Sequence, residues 1–211
     1  MLLSVSPNLL ELLSWLGTLT FAATGALVGV QRRFDLLGVL VLAAVTAIGG
    51  GSIRDVIVGI LPPTSLQNEP LLWGIALSGL VVFYLHRFLR AEGRLIYGLD
   101  TLGLAVFASL GAERGLSGGL GMWGTVFAGA VSGVGGGVLR DLLTGQVPGI
   151  LYRNGDLYAS AAAAGALVVF WSYPFSPEWA VVAGLVTTLA LRLGSRALGL
   201  KLPVPRHPGG V

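Results

Sequence analysis

The chain reads Gly49-Gly50-Gly51-Ser52-Ile53-Arg54-Asp55 and, 86 positions later, Gly135-Gly136-Gly137-Val138-Leu139-Arg140-Asp141. Both stretches lie inside long apolar runs. Each glycine costs about 1 kcal/mol relative to alanine in a water-exposed helix. A charge near the centre of a bilayer costs at least roughly 2.5–3.5 kcal/mol. One such stretch is a curiosity; two at matched positions point to a duplicated unit.

The duplication extends outward from the motif. Residues 13–84 align with 99–170 without a gap, with 23 identities in 72 pairs. Shared composition alone would give about one in ten. Phe21-Ala22-x-x-Gly25-Ala26 returns as Phe107-Ala108-x-x-Gly111-Ala112, and Gly59 and Pro62 return as Gly145 and Pro148. A membrane helix needs roughly 20 apolar residues. Apolar runs separated by charged or Pro-rich breaks give seven spans: 9–30, 36–59, 71–89, 95–113, 119–146, 157–173 and 178–197. The fold class expected is therefore an all-α polytopic membrane protein. Its first repeat covers 9–89, its second 95–173, its seventh helix 178–197 and a cytoplasmic tail 198–211. Three helices per repeat is an odd number, so the second copy enters the bilayer from the opposite side. The repeats are then inverted, and such pairs carry transport sites near the midplane.

Composition agrees. Of 211 residues, 54% are hydrophobic and 11% charged, and mean hydropathy is +0.82. A soluble domain has roughly 25% charged residues. The net charge is only +3 with no basic block, so nucleic acid is not a partner. Cysteine is absent and histidine occurs twice, at His86 and His207, which leaves no zinc or disulfide framework. No nucleophile–base pair is visible, so an enzyme is not expected. Glycine, at 33 residues, fits close helix packing or interrupted helices. Ten of the thirteen basic residues fall on one side of the seven-span arrangement: Arg32, Arg33, Arg87, Arg90, Arg94, Arg153, Arg192, Arg196, Lys201 and Arg206. The positive-inside rule puts that side in the cytoplasm, with the N-terminus outside and the C-terminus inside. The first span has no basic leader before it and is read as a retained helix.

The motif suggests its own chemistry. A glycine triplet lets the second and fifth helices kink or unwind, freeing carbonyls that suit a monovalent cation. Transient potassium is expected near Gly49–Gly51 and Gly135–Gly137, with no tightly bound metal and no cofactor. Neighbouring helical residues diverge by about 100°, so cross-repeat pairing is expected, Arg54 with Asp141 and Arg140 with Asp55. Asp100, whose repeat counterpart is Ser14, is read as a helix N-cap or as part of a cytoplasmic funnel. Phe21 and Phe107 are candidates for packing or a hydrophobic constriction. Thr46, Ser52 and Ser132 are candidate oxygen donors beside the triplets.

Seven spans with duplicated Gly-Gly-Gly-x-x-Arg-Asp motifs resemble the prokaryotic branch of the trimeric intracellular cation (TRIC) channel family, whose bacterial domain is also known as a glycine transporter domain. The resemblance covers residues 9–197. It implies a homotrimer in the cytoplasmic membrane with a pore in each protomer, conducting potassium and to a lesser degree sodium. Its partners are then other protomers, membrane lipid and monovalent cations. It also implies that the kinked second and fifth helices flank the pore. The competing class is a secondary transporter for glycine or another small neutral amino acid, with an arginine holding the carboxylate.

Overall fold

The computed structural model describes residues 5–88, 93–151 and 157–200. The described residues are all-helical: α1 (Pro7–Gln31), α2 (Leu36–Val58), a single turn α3 (Thr64–Gln67), α4 (Glu69–Leu85), α5 (Gly93–Ser117), α6 (Met122–Leu143), α7 (Ala159–Ser172) and α8 (Pro177–Leu198). The seven spans are thus α1, α2, α4, α5, α6, α7 and α8. Five of them are long and apolar enough to cross a membrane; α4 and α7 are shorter apolar helices. From residue 201 the expected tail lies outside the described residues, as do Arg90 and Arg153.

Local chemistry marks the helix ends. The Asp35 side chain accepts from the Gly38 amide at 2.7 Å and caps α2. Asn68 caps α4 in the same way. The two motif helices finish alike. Gly59 (φ 79°) and Gly145 (φ 68°) take the left-handed conformation that glycine adopts at no steric cost. The next amides, of Ile60 and Gln146, then close on the Asp55 and Asp141 carbonyls, each at 2.8 Å.

The core is built where the two repeats meet. α2 packs on α6, and α1 packs on α5. Phe21 and Phe107 stack there, with ring centroids 5.4 Å apart. Each ring lies against a glycine of the facing helix: Phe21 on Gly103 and Phe107 on Gly17, two glycines that are themselves repeat counterparts. α8 stands outside the repeats and packs on α5 and α7. Trp73, Trp123, Trp171 and Trp179 are exposed, as are Leu12, Leu37, Leu77 and Phe127. An apolar exterior of this kind suits lipid and not water.

Candidate functional site

Both motif helices run through their glycine triplets without interruption. The unwound turns with freed carbonyls anticipated from the sequence are not formed. What the triplets provide is close approach of two backbones. A methyl on Gly50 would run into the Ser132 carbonyl oxygen, and one on Gly136 into the Thr46 carbonyl oxygen. Thr46 and Ser132 are repeat counterparts, so the crossing obeys the two-fold expected of the inverted pair. Gly135 is held as closely, with the Gly50 Cα 2.8 Å from where its methyl would stand, but the other three outer glycines are less constrained. Gly49 faces only the end of Leu139, Gly51 the guanidinium of Arg54 at 3.6 Å, and Gly137 the Tyr158 hydroxyl.

The expected cross-repeat ion pairs do not form. Arg54 folds back on its own neighbour: its Nε and Nη2 donate to Asp55 Oδ1 at 2.9 and 2.6 Å. Arg140 does the same with Asp141 Oδ1, at 3.0 and 2.9 Å. The three-methylene stem of arginine overcomes the angular divergence that argued against adjacent pairing. The second carboxylate oxygen then ties down the loop beyond the helix. Asp55 Oδ2 accepts from the Thr64 amide and hydroxyl, both at 2.8 Å. Asp141 Oδ2 accepts from the Gly149 amide at 3.2 Å. Each Arg-Asp pair is therefore a neutralised unit that also anchors a helix–loop junction.

The remaining donors separate the two copies. Arg54 Nη1 reaches across the crossing to Ser132 Oγ at 3.2 Å. Arg140 Nη1 instead finds Asp100 Oδ1 at 2.8 Å. Asp100 is not a helix cap: α5 starts at Gly93, so Asp100 lies two turns inside and is buried. Its other oxygen takes Arg192 Nη2 at 2.9 Å, and Arg192 Nε donates to Thr101 Oγ1 at 2.9 Å. Arg192 lies over the rings of Tyr158, at 4.1 Å, and Tyr97, at 4.9 Å. The sequence placed Arg192 among the cytoplasmic surface charges; in the fold it is a buried residue of α8. Asp100, Arg140, Asp141 and Arg192 form one network of two carboxylates and two guanidiniums.

On the other side of the aromatic stack lies a cavity of about 330 Å³. Its wall includes Glu11, Ser14, Arg54, Phe107, Glu113 and Arg114, so the motif arginine of the first copy and one stacked phenylalanine face it. Ser14 stands in that wall where the second copy has Asp100.

Of the other candidates, Ser52 bonds Ser65 across 3.3 Å and joins α2 to α3, away from the crossing. Thr46 spends its hydroxyl on the Leu42 carbonyl at 2.6 Å, and Ser132 is the hydroxyl that meets an arginine. Sequence reasoning missed Glu113, Tyr158, Thr64 and the role of Arg192. All four lie outside the motif. Their one legible signal was charge: Arg192 and Glu113 fall within stretches apolar enough to be spans.

A family model described as Glycine transporter matches residues 11–87 and again 97–174. A UPF0126 membrane protein of Deinococcus radiodurans is 48% identical over 95% of each chain. The UPF0126 inner membrane protein YadS of Escherichia coli K12 is 34% identical, over 91% of this chain and 95% of its own. Among solved structures, a TRIC trimeric intracellular cation channel orthologue from Rhodobacter sphaeroides is 33% identical, with TM-score 0.85. That match covers 92% of this chain and all of the other. A prokaryotic TRIC channel determined in 0.5 M KCl superposes at TM-score 0.87 and 30% identity, over 93% and 100% of the two chains.

Proposed function

We propose that this chain, which belongs to the glycine transporter family and has the fold of the TRIC channels, is a potassium-permeable cation channel with one pore per protomer of a homotrimer. The proteins of like structure are channels and not enzymes. The observation that carries the reading is the cavity whose wall holds both Arg54 and Phe107, the ring that stacks on Phe21 between the repeats. A bare arginine there would repel cations. Asp55 neutralises it through two hydrogen bonds, and Asp141 and Asp100 do the same for Arg140 on the far side.

Permeation follows the cavity, passes the aromatic stack and the Gly50–Gly136 crossing, and leaves beside Arg140. Opening then requires the buried Arg140–Asp100–Arg192 network to part. A charge moved through 100 mV gains about 2.3 kcal/mol, enough for voltage to shift such an equilibrium. Surface arginines orient the chain with its N-terminus outside and its C-terminus in the cytoplasm of the cell whose inner membrane holds it. The lipid contacts of the exposed apolar helices belong to the same reading.

Planar-bilayer recording of the purified protein in asymmetric KCl tests this. Unitary steps should reverse near the potassium equilibrium potential, and Asp55→Asn and Asp141→Asn should lower cation selectivity. Unchanged selectivity in both variants would remove the motif from the pathway. The family's description favours a second reading, a carrier for glycine. Saturable exchange of labelled glycine in proteoliposomes, without unitary current, would establish it in place of the channel.

A further inference from the structure

Glu113 is the carboxylate that the motif network leaves unused. It sits in α5, 13 residues beyond Asp100 and so about 20 Å from it along the helix axis. Glu113 is 5% exposed and lines the cavity in front of Arg54. Its Oε1 accepts from Ser117 Oγ at 2.7 Å. Its Oε2 is buried and has no hydrogen-bond partner. A buried carboxylate oxygen without a partner is destabilising unless something positive or a proton meets it. The buried aspartates beside the two motif arginines are satisfied by contrast: Asp55 and Asp100 each use both oxygens.

The surroundings select the sign of the ligand. Arg54 and Arg114 face the cavity, but Arg54 is already held by Asp55. Glu11 and Glu113 are in the wall as well. The wall holds two carboxylates and two guanidiniums; Asp55, outside it, neutralises Arg54, which leaves Glu11 and Glu113 against Arg114. Ser14 and Thr18 of α1 add hydroxyl oxygens to the wall. Hard oxygen donors with one net negative charge, in a space of about 330 Å³ that also admits water, suit a partly hydrated monovalent cation. The feature is one-sided. The repeat counterpart of Glu113 is Leu27, a buried apolar residue, so the second copy of the fold has no equivalent carboxylate.

We propose that Glu113, with the oxygens of the cavity wall, forms a monovalent-cation site on the α1 side of the aromatic stack. It gathers cations ahead of the constriction from that side alone. Its role in flux rests on the channel reading; its occupancy does not, and the two are tested apart.

Occupancy is read from anomalous diffraction of crystals of the full chain soaked in RbCl. A rubidium peak beside the Glu113 carboxylate that disappears in Glu113→Gln and persists in Glu113→Asp supports the site. No peak in the wild type, or a peak unchanged in Glu113→Gln, overturns it, as does bromide in its place beside Arg114 from a parallel soak. The Glu113→Gln change keeps an acceptor for Ser117 and the size of the side chain, so the variant tests charge. The role in flux is read from unitary currents in symmetric KCl. At low salt the wild type should pass current entering from the cavity side at least about threefold more readily than Glu113→Gln, and the difference should vanish at high salt. Equal conductance of the two proteins at low salt overturns the role in flux. Absence of unitary steps in the wild type, with the rubidium peak present, rejects the channel reading and leaves the binding site standing.

Discussion

Arg54 and Arg140 hold equivalent places in two copies of one three-helix unit. Arg54 has one carboxylate, one serine and a cavity in front of it. Arg140 has two carboxylates, and a second guanidinium, of Arg192, shares one of them. The shared part is local: a helix ending at a left-handed glycine, an arginine bent onto the next aspartate, and a loop amide on the far oxygen of that aspartate. The unshared part comes from elsewhere in the chain. Asp100 replaces Ser14 on the neighbouring helix, and Arg192 arrives on α8, which has no counterpart. One backbone thus presents a face with a cavity before it and a face locked by charge.

Removing the lock should give the largest effect. Asp100→Asn strips a carboxylate from between Arg140 and Arg192 and leaves Arg192 without an anionic partner. Breaking a buried pair in this way costs about 3–5 kcal/mol. The melting temperature of the purified protein in detergent should fall accordingly, while Ser14→Ala, its counterpart, should leave it almost unchanged. Comparable losses in the two would mean that the sides are not distinct after all.

The next effect is one in which the two sides should agree. Gly50→Ala and Gly136→Ala each drive a methyl into a backbone carbonyl, which cannot swing away. Overpacking of this kind costs about 1–3 kcal/mol. Gly51→Ala meets only a guanidinium at van der Waals distance and should be close to neutral. Melting curves of the three variants check whether the middle glycine of each triplet is the one that sets the crossing.

An effect of similar size separates the copies again. Ser132→Ala deletes the hydroxyl that meets Arg54, and a hydrogen bond to a charged group contributes about 1.5–3 kcal/mol. Thr46→Ser, its mate, keeps a hydroxyl that bonds only the Leu42 carbonyl and should matter much less. If Ser132→Ala alters unitary conductance and Thr46→Ser does not, the two faces differ in flux as they do in contacts. Smallest of all is Ser52→Ala. Its 3.3 Å contact with Ser65 is half-buried between neutral groups and should be worth less than about 1 kcal/mol.

Much of the architecture was legible in the chain itself. Apolar runs marked seven helices because a bilayer leaves the backbone few alternatives to helix. The constant offset of the repeat, with three spans per copy, made the second copy inverted. The all-α class, the meeting of the second and fifth spans and the equivalence of Phe21 and Phe107 all follow from that arithmetic; that the two rings stack on each other does not. The motif also announced its end, since Gly59 and Gly145 supply the left-handed turn that closes each helix. All of this rests on local propensity and on symmetry, which are properties of sequence.

Partner choice was not legible, and there the reading went astray. Helical geometry argued that Arg54 and Asp55 point apart, but arginine is long enough to bend back, and its neighbour is always present at high effective concentration. Asp100 looked like a cap because the apolar run begins near it, yet the helix starts seven residues earlier and carries Asp100 into the interior. Arg192 looked like a surface charge because it stands close to the chain's end. Only the packing of α8 against α5 brings it to Asp100. Glu113 has an ordinary neighbour in Ser117, and only the assembled walls of α1, α2 and α5 make the cavity beside it. Which segments become helices, and how the two copies are related, was written along the chain, because hydrophobicity and duplication act there. Which charge meets which was settled by the packing. That choice depends on distances between helices remote in sequence, and in a low-dielectric interior those distances govern the energy.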